Sequence, residues 1–219
     1  MPKKLIELYK QHRFFIIPYL IIIIIGLAII MSKSKTELFL FTNIYHNEFF
    51  DHFFIANTLI GDGLTMILVG LCMLFIKFRF SVVTILAYAY SSLITQVIKR
   101  IVNEPRPSKF FEGLNPIRTI EGYPLYEHHS FPSGHSVSAF TLAVIIAYLL
   151  PIRHKHKAWI ILPFAMVTAF SRVYLSQHFF SDIVLGAIFG VLLTFQLICW
   201  LENSKWYHSS KLDGRLFPN

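Results

Sequence analysis

Three short polar clusters interrupt an otherwise very apolar chain, and their residue types are those that handle phosphate. The first runs from Lys99 to Pro107 and contains Lys99, Arg100 and Arg106. The second is Pro132-Ser133-Gly134-His135. The third is Ser171-Arg172, followed by His178 and Asp182. Arginine offers planar, bidentate hydrogen bonding to phosphate oxygens, and lysine a compact positive charge. Pro105 and Pro107 flank Arg106, where they stop a helix and stiffen the backbone that presents the guanidinium. Pro132 to His135 reads as a helix start. Ser133 caps it or donates to an anion, Gly134 lets backbone N–H groups come close, and His135 is placed to protonate a leaving oxygen. His178 and Asp182 are four apart, so on a helix they share a face. A carboxylate on one imidazole nitrogen sets the tautomer and leaves the other nitrogen as a nucleophile. Each cluster alone has a plain reading as snorkelling cations, a capped helix or a structural His–Asp pair. Three of them in one short chain argue for a phosphate site.

The clusters sit at the ends of apolar runs. The chain has 219 residues, 55% of them hydrophobic and 22 of them Phe. That is more apolar than a soluble domain needs. Six runs approach bilayer-spanning length, at Phe14–Met31, Thr58–Ile76, Ser81–Ile98, His135–Leu150, Ala158–Tyr174 and Asp182–Leu201. Gly61, Asp62 and Gly63 dilute the start of the second, and the fourth is short. Lys3 and Lys4 precede the first run, but its apolar stretch is too long for a signal peptide and no small-residue cleavage site follows, so it reads as a retained span. The expected fold is all-α, a six-span transmembrane bundle forming one domain over residues 1–219.

The net charge of +8 is distributed as a membrane protein distributes it, and no nucleic-acid partner is expected. With a cytoplasmic N-terminus and six crossings, the inner pieces hold twelve of the twenty basic residues and only Glu7, Glu202 and Asp213 of the acids. This is the positive-inside bias. It puts all three clusters on the outer face of the plasma (inner) membrane, with both termini in the cytoplasm. The Phe-rich link 32–57 is expected to lie along the membrane interface. The long link 103–134 carries Arg106 at one end and the Pro-Ser-Gly-His turn at the other, and links of that length are usually functional. Cys72 and Cys199 lie inside apolar runs and build neither a disulfide framework nor a zinc site. His128 and His129 lie near the clusters, but their spacing does not diagnose a metal. His154 and His156 belong to a basic loop with Lys155 on the inner side. Gly186 and Gly190 read as a close helix contact within the subunit.

The three clusters resemble the signatures of the type 2 phosphatidic acid phosphatase family, which is related to the vanadium haloperoxidases. Lys-x6-Arg-Pro appears as Lys99 to Arg106-Pro107. Pro-Ser-Gly-His appears as Pro132 to His135, and Ser-Arg-x5-His-x3-Asp as Ser171-Arg172, His178 and Asp182. The resemblance implies His178 as nucleophile, Asp182 as its orienting partner and His135 as general acid. It implies Lys99, Arg106, Arg172, Ser133 and the Gly134 backbone as the phosphate cradle, with no metal and no cofactor. The partners it implies are the bilayer and a membrane lipid phosphate. Undecaprenyl diphosphate is placed first, with phosphatidylglycerol phosphate, phosphatidic acid and the 1-phosphate of lipid A as alternatives. A lipid phosphotransferase and a non-enzymatic lipid-phosphate binding or transport protein are the other readings. The intact His178, His135 and Asp182 argue against the last, because binding needs only the cations. The sequence is silent on oligomeric state.

Overall fold

The computed structural model describes residues 2–114 and 117–217. They form nine α-helices joined by turns and short 3-10 segments: α1 (Pro2–Ser32), α2 (Lys35–Ile44), α3 (Glu48–Thr58), α4 (Gly63–Met73), α5 (Phe78–Val102), α6 (Pro107–Phe110), α7 (Gly134–Leu149), α8 (Leu162–Tyr174) and α9 (Phe180–Glu202). The protein is an all-α, multi-pass integral-membrane protein. Among the described residues, three helical stretches are long and apolar enough to cross a membrane: Tyr9–Ser32, Phe78–Phe110 and Phe180–Glu202. A fourth crossing results if Glu48–Gly61 and Gly63–Met73, bent by 54° at Asp62, count as one broken span.

The sequence predicts six spans, and two of those runs form helices too short to count on length and composition. The His135–Leu150 run becomes the 16-residue α7, and the Ala158–Tyr174 run becomes a 3-10 stretch, Ile152–Ile161, followed by the 13-residue α8. The reason is packing. α7 is apolar all round because protein, not lipid, surrounds it: α9, α5, α8, α4 and α1 all touch it. Its length is therefore set by the bundle core.

Small residues let α9 close on α7. A Cβ on Gly186 would lie 2.8 Å from the Ser133 carbonyl, and one on Gly190 would lie 2.6 Å from the Val137 carbonyl. The G-x-x-x-G pair is thus a contact within the subunit. Below it, Thr194 Oγ1 donates to Thr141 Oγ1 at 3.1 Å, and Thr141 Oγ1 to Ser91 Oγ at 3.3 Å. These hydroxyls tie α9, α7 and α5 together where no water competes.

The Phe-rich link is not simply an interfacial layer. It folds into α2 and α3, and part of it enters the core. Phe39 is fully buried, stacked on Phe111 and edge-on to Phe179, just under the polar clusters. Phe54 packs on Phe170 and Tyr174 of α8. The outermost rings, Phe41, Phe49, Phe50 and Phe53, stay exposed. Cys72 is exposed on α4 and Cys199 is buried on α9.

Basic residues gather at the opposite end of α5 from Lys99, twenty residues or roughly 30 Å away at about 1.5 Å per residue. Lys77 and Arg79 both pair with Asp213. Lys155, expected in an open basic loop, is instead buried. Its ammonium donates to the Ala147 and Tyr148 carbonyls at 2.9 and 2.7 Å. Those are last-turn carbonyls of α7, which lack helical partners and attract a cation.

Candidate active site

The first cluster is shaped by a helix stop. α5 ends at Asn103, whose φ of 43° is left-handed and whose N–H returns to the Lys99 carbonyl. Three residues later Arg106 is extended, and Pro107 opens α6. Lys99 is buried, and its ammonium donates to the His129 carbonyl at 2.6 Å. Arg106 is held on two sides. Its Nε donates to the His128 carbonyl at 2.9 Å, and its Nη1 reaches the backbone and side-chain oxygens of Gln177 at 3.3 and 3.2 Å. The Tyr126 ring lies 5.1 Å from the guanidinium carbon. His128 and His129 therefore serve the cations mainly through their carbonyls, and the His129 ring nitrogen Nδ1 contacts the Lys99 carbonyl at 3.1 Å.

The second cluster starts α7 as the sequence predicts. Ser133 is the N-cap, and its hydroxyl accepts from the Ser136 N–H. Its own N–H donates to the Asp182 carbonyl at 3.0 Å, which joins the second cluster to the third. His135 follows, its side chain 28% exposed, with Nε2 3.9 Å from the Asp62 carboxylate.

The third cluster departs from its expected form in one respect. His178 does not share a helix with Asp182. α9 begins at Phe180, and His178 sits in the turn before it. That turn folds over the end of α8: the N–H groups of Gln177 and His178 both donate to the Arg172 carbonyl. Asp182, fully buried, uses Oδ2 to cap the helix by accepting from the Phe179 N–H at 3.0 Å. The same oxygen is 3.5 Å from His178 Nδ1. The pair meets because a carboxylate is favoured in the first turn of a helix, where N–H groups are unpaired.

A residue outside the three clusters completes this contact. Ser130 is fully buried; its hydroxyl donates to Asp182 Oδ2 at 2.6 Å and lies 3.5 Å from His178 Nδ1. Other partners also come from elsewhere. Arg172 Nη1 donates to Thr58 at 2.9 Å and Tyr123 at 3.0 Å, while its Nε is buried with no hydrogen-bond partner. An unpaired buried donor is costly, and a phosphate oxygen would satisfy it.

The electrostatics bring the pieces together on His178. It lies outside the spanning helices and is 2% exposed. Burial, and then the charges of Arg106, Lys99, Arg172 and His135, hold its imidazole well below the usual histidine range. The ring is therefore neutral at pH 7, the form that can act as a nucleophile. Among the described residues no carboxylate forms an ion pair with Lys99, Arg106 or Arg172, so positive charge is in excess around the ring.

The fold and this centre define a helical membrane protein built around a buried cationic site with a neutral histidine beside the cations. The chain belongs to the PAP2 superfamily, a group of metal-independent membrane lipid phosphatases, which it matches over residues 78–206. It is 31% identical over 118 residues to phosphatidylglycerophosphatase B of Bacillus subtilis, covering 51% of this chain and 53% of that one. The match therefore spans about half the length of that relative. It is 28% identical over 167 residues to a lipid A 4'-phosphatase of Bacteroides thetaiotaomicron, covering 73% of each. Its fold matches the crystal structure of a transmembrane PAP2-type phosphatidylglycerolphosphate phosphatase from Bacillus subtilis with a TM-score of 0.62, at 22% identity, over 90% of this chain and 98% of that one.

Proposed function

We propose that this protein is an integral-membrane hydrolase that removes phosphate from a lipid phosphate or diphosphate monoester through a phosphohistidine. The observation that carries the reading is the neutral His178, paired with Asp182 and surrounded by Lys99, Arg106 and Arg172. His178 Nδ1 faces Asp182 and Ser130, so Nε2 is the attacking atom. Its lone pair forms the P–N bond as the P–O bond to the leaving oxygen breaks, and His135 gives that oxygen its proton. Lys99, Arg106 and Arg172, with Ser133 and the Gly134 N–H, take the charge on the equatorial oxygens. Water then attacks phosphorus and gives a proton to His135. The P–N bond breaks, and inorganic phosphate leaves with His178 neutral again.

The three cations supply the charge that a divalent ion would otherwise bring to phosphoryl transfer. Phosphate release by the purified protein in detergent is expected to survive excess EDTA. Vanadate, which adopts the five-coordinate geometry of the transferring group, is expected to inhibit it. Loss of activity in EDTA with recovery on adding a divalent ion would overturn this charge assignment. Release from no lipid phosphate in a panel would overturn the reading itself. The substrate candidates are phosphatidylglycerol phosphate, lipid A phosphates, phosphatidic acid and undecaprenyl diphosphate.

The site is proposed to face outward from the plasma membrane, with both termini cytoplasmic and six crossings in all. Support comes from the charge distribution and from the basic end of the bundle lying far along α5 from the cationic site. Two exposed positions test it, Lys109 near the site and Lys157 near the basic end. With Cys72 and Cys199 replaced, Lys109→Cys should react with an impermeant thiol reagent in intact cells or spheroplasts. Lys157→Cys should react only after permeabilisation. The reverse pattern would invert the topology and move the substrate to the cytoplasmic leaflet.

A further inference from the structure

A second pocket opens beside the phosphate cradle, and its chemistry is different. A cavity of about 150 Å³ has Gly134 and His135 in its wall, together with residues of α5 and the two glycines that flank Asp62. Its polar lining includes Tyr88, Ser92, Gln96 and Ser138. No hydrogen bond to another described residue engages those four side chains. Ser138 is buried, Tyr88 and Ser92 are half-buried and Gln96 is exposed, so the group is open to a polar ligand, and in a membrane protein such polar residues are functional candidates. No lysine or arginine is among the lining residues. A carboxylate stands at its edge, Asp62, 3.9 Å from His135 Nε2, while Lys99, Arg106 and Arg172 act on His135 from the side of the cradle.

Position gives this neutral pocket a role. His178 is not in its wall, and His135 is. In an in-line transfer the leaving oxygen departs on the side away from His178 and toward the group that protonates it. We infer that the pocket receives the alcohol from which phosphate is removed, and that this alcohol is neutral and rich in hydroxyls, a polyol or sugar head group rather than a second phosphate. The inference rests on the phosphatase reading above and narrows it. Hydroxyls on the substrate would pair with Ser92, Gln96, Ser138 and Tyr88. A leaving phosphate would bring negative charge to a wall without cations and beside a carboxylate, which acts against it. Polyol phosphomonoesters are therefore favoured over lipid diphosphates, which reverses the order of substrates that the sequence predicts.

The test compares phosphate release by the full-length protein in detergent from phosphatidylglycerol phosphate and from a prenyl diphosphate at equal mole fraction. The expected kcat/KM is at least about tenfold higher for the glycerol-bearing lipid. Gln96→Leu combined with Ser92→Ala should lower that value about tenfold while changing the diphosphate value less. Asp62→Asn keeps a side-chain oxygen to cap α4 at the Leu64 N–H, and it should raise diphosphate hydrolysis relative to the glycerol-bearing lipid. A diphosphate preference in the parent protein, or an unchanged substrate ratio in Asp62→Asn, would overturn the inference and leave the phosphatase reading standing. No release from either lipid would remove both.

Discussion

His178→Ala is expected to abolish phosphate release, by roughly four orders of magnitude or more, on every substrate tested. In the proposed mechanism the neutral imidazole beside Lys99, Arg106 and Arg172 is the nucleophile, and water cannot replace it without losing the covalent step. The fold should persist. The backbone N–H of residue 178 still donates to the Arg172 carbonyl, and the His178 side chain makes only contacts of 3.5 Å or so with Asp182 and Ser130. Thermal unfolding and elution in detergent close to those of the parent would establish this. Brief incubation of the parent with ³²P-labelled substrate should trap an acid-labile, base-stable phosphoprotein, and the variant should trap none. Parent-like turnover in the variant, or label retained without His178, would remove the histidine from the reaction.

Asp182→Asn is expected to reduce kcat by about a thousandfold to ten-thousandfold, with KM changed much less. Asp182 Oδ2 accepts from the Phe179 N–H and the Ser130 hydroxyl while facing His178 Nδ1. An amide at that position brings either an N–H group against those donors or a neutral oxygen. Either choice leaves the imidazole without the charge that supports its positive form. Some stability is lost as well, because the carboxylate also caps α9; a cap is worth about 1 kcal/mol. Ser130→Ala separates the two roles. It removes one hydrogen bond and keeps the charge, so kcat should fall only about tenfold. A fall in Asp182→Asn no larger than that in Ser130→Ala would mean that the carboxylate serves the helix cap alone.

The parts that sequence made legible have short-range causes. Lys99 to Arg106 spans a helix end, Pro132 to His135 a helix start, and Arg172 to Asp182 one turn between two helices. Each is specified by neighbours in the chain: proline, a capping serine, a first-turn carboxylate. The partners that sequence did not reveal are distant. Thr58 and Tyr123 hold Arg172, Gln177 holds Arg106, and Ser130 holds Asp182. Threonine, tyrosine, glutamine and serine occur throughout such a chain. Nothing in their spacing marks the ones that packing will bring to a cation.

Hydropathy leaves the number of crossings open for a related physical reason. Hydropathy reports whether a segment avoids water, and it cannot tell lipid from protein as the shelter. α7 is apolar because α9, α5 and α8 enclose it, and the Phe-rich link is apolar partly because Phe39 and Phe54 complete the core. By itself, the sequence determined an all-helical membrane protein, the three clusters and the phosphate chemistry their residue types permit. The tertiary structure decided which helices are enclosed by others, how the clusters meet, and which hydroxyls hold Asp182 and Arg172. Those outcomes depend on contacts between residues far apart in the chain, which only close packing of the helices selects.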